Sequence, residues 1–417
     1  MADERSTSTL VRNARLLDPE AGTLVDGQEV LVVGDRVADV RPEGASAPGA
    51  AVIDAARRTL LPGLIDAHVH VTAVSADLGA KAEMAPTYVT ARTAHILRGM
   101  LDRGFTTVRD CAGADYGLAD ALAEGWLEGP RLRFGGKALS QTGGHGDRRH
   151  PGRTAEDTHY CCPTSAWIVD GVAEVRRACR EEIRRGAHHV KLMLSGGVAS
   201  PTDRVDSTQF SLEEIRAAVE EAEAAGIYVL GHAYTARAVN RGLDCGVRSI
   251  EHGNLMDESS VERFQKTGAF YVPTLATYSA LAARGREHGL PEGSYRKVFD
   301  VLDGGLRALE MAHRAGIPIV YGTDLLGGMH EDQLGEFLLR AQVQPAADIL
   351  RSATTVAARL LRLEGEVGVI APGALADLLL VEGDPLADIS VLTRPETNLH
   401  LVMQGGVIVR DRLGAAV

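Results

Sequence analysis

Two histidines, His68 and His70, stand one residue apart at the end of the apolar run in LPGLIDAHVHV. Side chains alternate between the two faces of a strand, so residues two apart point to the same side. Two neutral imidazoles held in this way can share one metal ion, since imidazole is a common ligand for zinc and related cations. Two close histidines also arise by chance in a chain that has 14 of them. A metal site therefore requires further ligands elsewhere in the sequence.

Other strand-like runs end in residues that could complete such a site. They are Lys191 in VKLMLSGG, His232 in GHA, His252 in EHG and Asp324 in GTD. In a barrel of parallel strands the active site gathers at the C-terminal ends of the strands. A single histidine there is more often a structural residue, but four histidines with an aspartate favour a metal centre.

Lys191 does not fit this set in its ordinary state. An ammonium has no lone pair with which to bind a metal ion, and its positive charge would repel one. Lys191 is therefore either a charged neighbour outside the site or a lysine modified to an anion, and the residue types alone leave both interpretations open.

The elements that would position these residues follow a regular alternation from residue 62 onward. Strand-like runs alternate with helix-length amphipathic segments; the runs cover 64–71, 106–111, 131–139, 190–194, 228–233, 248–252, 270–275 and 317–323. The clearest helix is predicted over 212–225, with Ser211 as N-cap, Glu214 completing a capping box and Gly226 at its end. Eight strands that alternate with helices are typical of an α/β fold with a closed (β/α)8 TIM barrel. A doubly wound open sheet is the alternative, although no GxGxxG follows a strand.

The two ends of the chain have a different pattern of short strands and tight turns. We predict that residues 1–62 and 365–417 together form one composite β-sandwich, because each segment is too small for a core of its own. Residues 63–364 are predicted to form the barrel.

Composition limits the classes of partner. The formal charge of −12 and the absence of a Lys/Arg-rich run argue against nucleic acid or an anionic membrane. The polar start MADERSTSTL has no apolar signal region, and no apolar run approaches the length of a membrane-spanning helix. Five cysteines without paired CxxC spacing suggest reduced thiols and a cytoplasmic location.

Taken together, the ordered strand-end residues, LPGLIDAHVH and PGALADLLLVEGDP resemble the amidohydrolase superfamily over essentially the whole chain. The resemblance is to the branch of imidazolonepropionase-like enzymes and bacterial metal-dependent prolidases. It implies two divalent metal ions, usually zinc. His68, His70 and Asp324 would hold the more buried ion, and His232 and His252 the more exposed one. Lys191 would be carboxylated on its amine and bridge the two, which removes the charge conflict.

The resemblance also implies a mechanism, in which a metal-bridging hydroxide attacks a carbonyl that the more exposed ion polarises. Coordination to zinc lowers the pKa of water to about 7. Asp324 would take the proton of this water and give it to the leaving amine. The alternative is that Asp324 is a structural ligand only. Relatives are often homo-oligomers, and we expect the same here.

Two further features concern the substrate. Tyr234 lies two residues after His232, on the same face if the strand continues, and could donate to a developing oxyanion; the alternative is an apolar wedge over the barrel mouth. The second feature is a long loop over 141–167, which contains His145 in GGHG. In the resembling prolidases the corresponding histidine and tyrosine contact the scissile carbonyl, so His145 and Tyr234 are assigned that role.

Arginines near the barrel mouth would suit a substrate carboxylate, since guanidinium binds it in a bidentate manner. The candidates are Arg204, after the fourth barrel strand, and Arg148, Arg149 and Arg153 in the loop. For any one of them the alternative is a solvated loop residue. We therefore expect hydrolysis of an amide next to a C-terminal carboxylate, by a prolidase, a dipeptidase or an N-acyl amino acid amidohydrolase. Some relatives cleave the amide of ochratoxin, which fits this class. The alternatives are a cyclic-amide hydrolase of the imidazolonepropionase type and a non-catalytic barrel with a structural metal.

Overall fold

The computed structural model describes residues 8–150, 152 and 166–413. Part of the predicted substrate loop, including Arg153, His159, Cys161 and Cys162, lies outside the described residues. The strands are β1 Ser8–Asp18, β2 Thr23–Val33, β3 Arg36–Pro42, β4 Ala51–Asp54, β5 Thr59–Pro62, β6 Leu64–Val69, β7 Phe105–Asp110, β8 Arg131–Phe134, β9 Leu139–Ser140, β10 Trp167–Ile168, β11 Val190–Met193, β12 Val229–Thr235, β13 Ser249–Leu255, β14 Phe270–Val272, β15 Leu378–Val381, β16 Leu399–Gln404 and β17 Val407–Asp411.

Helices alternate with these strands over the middle of the chain, as the sequence predicts. They are α1 Pro86–Asp102, α2 Tyr116–Ala123, α3 Val172–Arg184, α4 Leu212–Ala224, α5 Ala236–Asp244, α6 Glu258–Thr267, α7 Leu275–Arg284, α8 Glu292–Arg314, α9 Gly335–Arg340, α10 Ala346–Ser352, α11 Thr355–Leu361 and α12 Pro395–Asn398. Short 3-10 helices cover Ala80–Glu83, Gly327–Leu334 and Ile389–Thr393. The fold class is α/β.

The predicted helix over 212–225 is confirmed by α4. Ser211 accepts a hydrogen bond from the Glu214 N–H, and the Glu214 side chain accepts one from the Ser211 N–H, which is the capping box. Gly226 follows with a φ of +71°, a conformation that glycine adopts without steric strain. Local side-chain signals are therefore sufficient to fix both ends of this helix.

The chain divides into two compact units. The first comprises Met1–Ile65, Gly99–Thr107 and Gln344–Val417. Its sheet has the order β17-β16-β15-β5-β1-β2-β3, with β4 paired to β1. Strands from both ends of the sequence meet in this sheet, because β15 pairs antiparallel with β5. The composite β-sandwich and its bounds stay a prediction.

The second unit comprises Asp66–Arg98 and Val108–Val343. Its largest sheet has the order β10-β9-β11-β12-β13-β14, and the strand pairs in it are parallel. A second sheet has the order β6-β7-β8. Helices α3, α4 and α5 contribute buried apolar side chains to the core that covers the larger sheet.

The last predicted barrel strand, 317–323, differs from the expectation. Among the described residues it forms only an isolated parallel bridge, between Ile319 and Tyr271. Pro318 has no N–H with which to continue a ladder, which explains the short pairing. The segment still bonds on both sides: the Val320 N–H donates to the Tyr271 carbonyl, and the Ala67 N–H to the Tyr321 carbonyl, each at 2.9 Å.

The predicted strand 131–139 is also different, because it is divided into β8 and β9. Gly136 lies between them with a φ of +72°. A side chain at this glycine would collide with the carboxylate of Glu182, since an added Cβ would lie 1.9 Å from its Oε2. Glycine at this position thus leaves room for the Glu182 carboxylate of α3, and its left-handed conformation lies where the strand is interrupted.

Cys111, Cys179 and Cys245 are free and buried. Within the described ranges, no helix combines the length and the apolar character needed to cross a membrane. The cytoplasmic location stays a prediction.

Candidate metal centre

The side chains that the sequence predicts to do chemistry converge on one cavity in the second unit. The cavity has a volume of about 90 Å³. Eight predicted site residues line it: His68, His70, His145, Lys191, His232, Tyr234, His252 and Asp324. Lys191 lies on β11, and His232 and Tyr234 lie on β12, so neighbouring parallel strands present several of these groups side by side.

His68 is completely buried, and its ring is held by a carboxylate. Its Nδ1 lies 2.6 Å from Oε2 of Glu251, which also accepts two hydrogen bonds of 2.9 Å from Arg109. This contact places the ring N–H on Nδ1 and leaves the lone pair on Nε2. Nε2 is buried and has no hydrogen-bond partner among the described residues. Since buried polar atoms are normally paired, this lone pair fits a position that a cation fills.

His70 and Asp324 complete a compact group with His68. Nδ1 of His70 donates to the carbonyl of Ala112 at 2.6 Å, so its Nε2 also carries a free lone pair. Oδ1 of Asp324 lies 3.5 Å from Nε2 of His68 and 3.3 Å from Nε2 of His70. One ligand atom from each of the three residues lies within 4.8 Å of the others. Two imidazole nitrogens and a carboxylate oxygen suit zinc, manganese or iron.

His252 and His232 continue the row of imidazoles. The ring centroids of His68 and His252 are 5.0 Å apart, and those of His252 and His232 are 4.6 Å apart. Nδ1 of His252 lies 2.8 Å from Oγ1 of Thr274, which fixes the orientation of this ring. His252 and Asp324 both adopt left-handed backbone conformations, with φ of 75° and 55°. Such strained residues persist where the surrounding structure holds them, and they concentrate at functional sites.

The electrostatics keep these imidazoles neutral. Burial lowers the pKa of His68 and of His232 well below the usual range, and the charge of Lys191 acts in the same direction. Burial lowers the pKa of His252 to about 3. Burial alone would raise the pKa of Asp324, but His68 and His70 lower it below its usual range. The site therefore presents neutral imidazoles and a carboxylate, which are the states that bind metal ions.

Lys191 lines the same cavity. It is buried, and its charge acts on four of the histidines, His68, His145, His232 and His252. Within the described ranges no hydrogen bond or ion pair reaches its Nζ. A buried ammonium without a counter-ion is unfavourable, so this position favours either a bound anion or a change of the amine itself.

His145 is brought to the site from the loop after β9. Its ring stacks on His232, with centroids 4.2 Å apart and an interplanar angle of 14°. Its Nδ1 lies 3.0 Å from Oγ of Ser200 and 3.7 Å from Oδ2 of Asp203. Lys297 holds this segment by donating to the carbonyls of Ser200 and Asp203, at 3.0 and 2.6 Å. The loop histidine is therefore fixed by a polar network.

Tyr234 lies on the same face of β12 as His232, with ring centroids 4.9 Å apart. Its hydroxyl accepts a hydrogen bond of 2.9 Å from the hydroxyl of Tyr278. Burial raises the pKa of Tyr234 far above its usual range, so the phenol keeps its proton. The proton of Tyr234 is then available to a group in the cavity.

Among the predicted arginines, the structure does not bring Arg204 into the cavity. Its side chain is 81% exposed and forms an ion pair with Asp206 at 2.8 Å. Arg148 instead lines the cavity and donates to the carbonyl of Ala199. The guanidinium of Arg149 donates to Oδ2 of Asp147 at 2.6 Å. Among the described residues, the cationic side chains that line the cavity besides Lys191 are those of Arg148 and Lys81.

Sequence reasoning missed the residues that hold the candidate metal ligands in place. Glu251 stands directly before His252, and Arg109 lies inside β7; a charged residue within an otherwise buried strand was the available signal for both. Asp203 and Lys297 gave no such signal, because they lie on loops and helix faces where charged residues are usual. Lys81 was missed for the same reason.

Comparison with known proteins agrees with this geometry. The model of the amidohydrolase family matches residues 59–409. Ochratoxinase from Aspergillus niger is 32% identical over 364 residues, which are 84% of this chain and 75% of that protein. A crystal structure of a prolidase complexed with N-methylphosphonate-L-proline has a TM-score of 0.95 and 48% identity, covering 97% of this chain and 100% of that one. Imidazolonepropionase from Cutibacterium acnes is 25% identical, over 97% of this chain and 95% of that protein.

These relatives fall in the branch that the sequence motifs indicate, and the family match spans the strands that carry the candidate ligands. The chain belongs to the amidohydrolase family and is a hydrolase that acts on carbon–nitrogen bonds.

Proposed function

We propose that this protein is a binuclear metal-dependent hydrolase that cleaves an amide bond next to a carboxylate, in the manner of a dipeptidase, a prolidase or an N-acyl amino acid amidohydrolase. The observation that carries the proposal is the convergence of four histidines, Lys191 and Asp324 on one cavity. A closed (β/α)8 barrel is part of the proposal. The backbone hydrogen bonds of 317–323 to β14 on one side and to β6 on the other support it.

The residues fit a pair of divalent cations. His68, His70 and Asp324 would hold one ion, and His232 and His252 the other, with Lys191 as a carbamate between them. The unpaired Nε2 of His68 supports the first position. The place of Lys191 among the histidines that line the cavity supports the carbamate. When bound, two such cations lower the pKa of water toward neutrality and polarise a carbonyl.

The protein's own groups would then handle the proton and the carbonyl oxygen. Asp324, a carboxylate held between His68 and His70, would accept a proton from the attacking water at a carboxylate oxygen and transfer it to the leaving nitrogen. The hydroxyl of Tyr234 and the ring of His145 would donate to the developing oxyanion. Because Tyr278 already donates to Tyr234, the hydrogen of the Tyr234 hydroxyl is directed elsewhere.

A carboxylate on the substrate would meet a cation in the same cavity. Lys81 and Arg148 both line it, whereas Arg204 is exposed and paired with Asp206. The ammonium or guanidinium would fix the substrate by a charge-assisted hydrogen bond and so place the amide relative to the ligand cluster.

The test compares dipeptides and N-acyl amino acids with the same compounds converted to C-terminal carboxamides. The purified protein is loaded with zinc, and the bound metal is counted before the assay. We expect the acids to be cleaved at least about tenfold faster than the carboxamides, since a hydrogen bond to a charged group contributes about 1.5–3 kcal/mol. Equal rates would contradict the carboxylate requirement. Failure to cleave any amide with two metal ions bound would contradict the proposed function.

The alternative is a cyclic-amide hydrolase, and the full-length similarity to an imidazolonepropionase favours it as the second candidate. Cleavage of imidazolone propionate without cleavage of any N-acyl amino acid would reverse the order of the two.

A further inference from the structure

Thr274 is the N-cap of α7, but its hydroxyl does not cap the helix. A threonine at this position usually accepts a hydrogen bond from an N–H of the first turn. Among the described residues, no N–H of α7 donates to the Thr274 side chain. The Ala276 N–H donates instead to Oε2 of the buried Glu336, at 2.6 Å. The Thr274 hydroxyl is therefore left for other contacts.

The backbone of Thr274 is strained as well. Its φ of 43° and ψ of 51° lie in the left-handed region, which is unusual for a β-branched residue. Thr274 is fully buried, so the surrounding structure holds it in this conformation. Residues held in this way concentrate at functional sites, and an observed outlier is a reason to look for the contacts that it makes possible.

The contacts of Thr274 join a candidate metal ligand to a tyrosine. Its Oγ1 lies 2.8 Å from Nδ1 of His252. Its side chain also hydrogen-bonds Tyr278, which lies one turn later on α7. The hydroxyl of Tyr278 in turn donates to the hydroxyl of Tyr234 at 2.9 Å. We call this series of four side chains, His252, Thr274, Tyr278 and Tyr234, the hydroxyl network.

The hydrogens of the hydroxyl network can be assigned by counting them, because each hydroxyl carries only one. The hydrogen of Tyr278 goes to Tyr234, so Tyr278 accepts the hydrogen of Thr274. Thr274 then accepts the Nδ1–H of His252, which leaves the lone pair of this imidazole on Nε2, as a metal ligand requires. The hydrogen of Tyr234 is the one that remains for a ligand in the cavity that this residue lines.

The hydroxyl network is shielded from water and held by packing. Its side chains are all buried, and the ring centroid of Tyr278 lies 5.9 Å from that of Tyr234 and 6.1 Å from that of His252. Burial raises the pKa of Tyr278 well above its usual range, so this phenol keeps the hydrogen that it donates. Hydrogen bonds in series polarise one another in such an environment, which makes the last hydroxyl a stronger donor.

We propose that Thr274 and Tyr278 are positioning residues for amide hydrolysis, which hold the hydrogen of Tyr234 toward the carbonyl oxygen of the substrate. The inference rests on the proposed function, in which Tyr234 donates to the developing oxyanion. A donor that is oriented before the reaction needs no reorganisation as the charge develops. Thr274 and Tyr278 would act through Tyr234, whose other hydrogen-bonding capacity they occupy.

The first test is a double-variant cycle on zinc-loaded protein, with the dipeptide or N-acyl amino acid that the wild type cleaves fastest. We expect Tyr278→Phe to lower kcat about tenfold and to change KM less than about threefold, because the oriented donor acts mainly in the transition state. Tyr234→Phe should lower kcat about a hundredfold. Adding Tyr278→Phe to Tyr234→Phe should then cause no further loss.

This cycle separates positioning from a structural role. Losses that add in the double variant would overturn the inference while amide cleavage itself persists, because a structural effect does not depend on the Tyr234 hydroxyl. Tyr295→Phe is the matched control, since it removes a hydroxyl of α8 that donates to the Ala282 carbonyl, and it should keep the wild-type kcat.

The second test changes the middle of the hydroxyl network. Thr274→Val removes the hydroxyl and keeps the branched shape, so kcat should fall about tenfold. Thr274→Ser keeps the hydroxyl and should retain most of the wild-type rate. Wild-type kcat in Thr274→Val, or equal losses in the two variants, would overturn the inference.

The third test does not depend on turnover. Neutron diffraction from crystals of the perdeuterated, zinc-loaded protein would locate the deuterium atoms directly. We expect deuterium on Nδ1 of His252 facing Thr274, on Tyr278 facing Tyr234, and on Tyr234 facing away from Tyr278. Deuterium of Tyr234 directed at Tyr278 would overturn the inference. The expected arrangement in a protein that cleaves no amide would support the hydroxyl network and contradict the proposed function.

Discussion

At the scale of single residues, Gly197 lies against the imidazole of His145. A Cβ built at this glycine would lie 2.1 Å from Cε1 of the histidine. The φ of Gly197 is not in the left-handed region, so alanine is acceptable to the backbone there. Gly197→Ala should therefore displace His145 without unfolding the loop. Because a displacement of about 1 Å can reduce the rate about a hundredfold, we expect kcat to fall between about tenfold and a hundredfold.

The measurement is steady-state kinetics on metal-loaded protein, with the urea midpoint recorded for each variant. Gly293→Ala is the control, because nothing lies within 4 Å of a Cβ at that helical position. Wild-type kcat in Gly197→Ala would show that His145 has no part in the reaction.

A second prediction for a single residue concerns Glu251. Its carboxylate is fully buried between His68, Arg109 and Ser249, and the charge of Arg109 has no other described carboxylate partner in contact. In Glu251→Gln the guanidinium would remain buried without its counter-ion, which costs about 3–5 kcal/mol. The ring of His68 would also lose its orientation, and metal affinity should fall about ten- to a hundredfold.

Urea unfolding and the metal content after dialysis against a competing chelator would measure the two effects. Glu223→Gln, on the exposed face of α4, provides the comparison. If the dialysed Glu251→Gln protein kept its zinc as well as the comparison protein, the role of Glu251 in holding His68 would be refuted.

Most of the residues that line the candidate site could be predicted from the sequence, whereas those that hold them in place could not. Histidine and aspartate at strand ends have a recognisable chemistry, and the strand positions follow from local apolar patterns. Asp203 and Lys297 are 94 residues apart, and their contact depends on how α8 packs near the loop after β11. Arg204 is the opposite case, a predicted site residue that lies outside the site. A loop arginine has the charge that a substrate carboxylate requires, but the path of the loop determines that this arginine pairs with Asp206.

At the scale of elements, β8 and the segment before β11 meet through His188. The Phe134 N–H donates to Nδ1 of His188 at 3.2 Å, which requires the neutral ring. Burial, with Arg133 nearby, lowers the pKa of His188 to about 4. In the unfolded chain this pKa is about 6.5. The unfolded state therefore binds a proton between these two values that the folded state does not, and stability falls as the pH decreases from about 6.5 to about 4.

This pKa shift corresponds to about 3 kcal/mol in the free energy of unfolding. Partial exposure of the ring reduces the expected change in that free energy to about 1–2 kcal/mol. Urea unfolding at several pH values between about 4 and 7 would measure it. His188→Gln keeps an acceptor near Phe134 and does not titrate, so its stability should fall less steeply over that range. Identical pH profiles for the two proteins would assign the effect to other groups.

The elements themselves were predictable where the signal is local. Ser211 and Glu214 give the start of α4, and the glycine after it gives the end. The segment 317–323 has the apolar pattern of a strand but bonds through few backbone groups, because Pro318 lacks an N–H. Between β8 and β9, Gly136 lies against Glu182 from another element, a contact that no local sequence window contains.

At the scale of the whole molecule, the eight predicted site residues that line the metal cavity all belong to the second unit. The first unit is organised around its own sheet and apolar core, with strands from both chain ends. Loss of the proposed metal ions should therefore act first on the second unit, where a row of imidazoles and Asp324 would be left without their common partner.

Removal of the metal ions by a chelator is accordingly predicted to destabilise the protein. A ligand that binds only the folded state stabilises it by about 2.7 kcal/mol at a hundred times its Kd and by about 4.1 kcal/mol at a thousand times. We expect the chelated protein to unfold at lower urea concentration and to recover when zinc is added together with bicarbonate, which supplies the carbon dioxide for the proposed carbamate on Lys191. His70→Asn should retain less zinc and gain less stability from it. If the chelated protein unfolded at the same urea concentration as the zinc-loaded protein, the imidazoles would have to be structural residues, and the metal-dependent mechanism would be wrong.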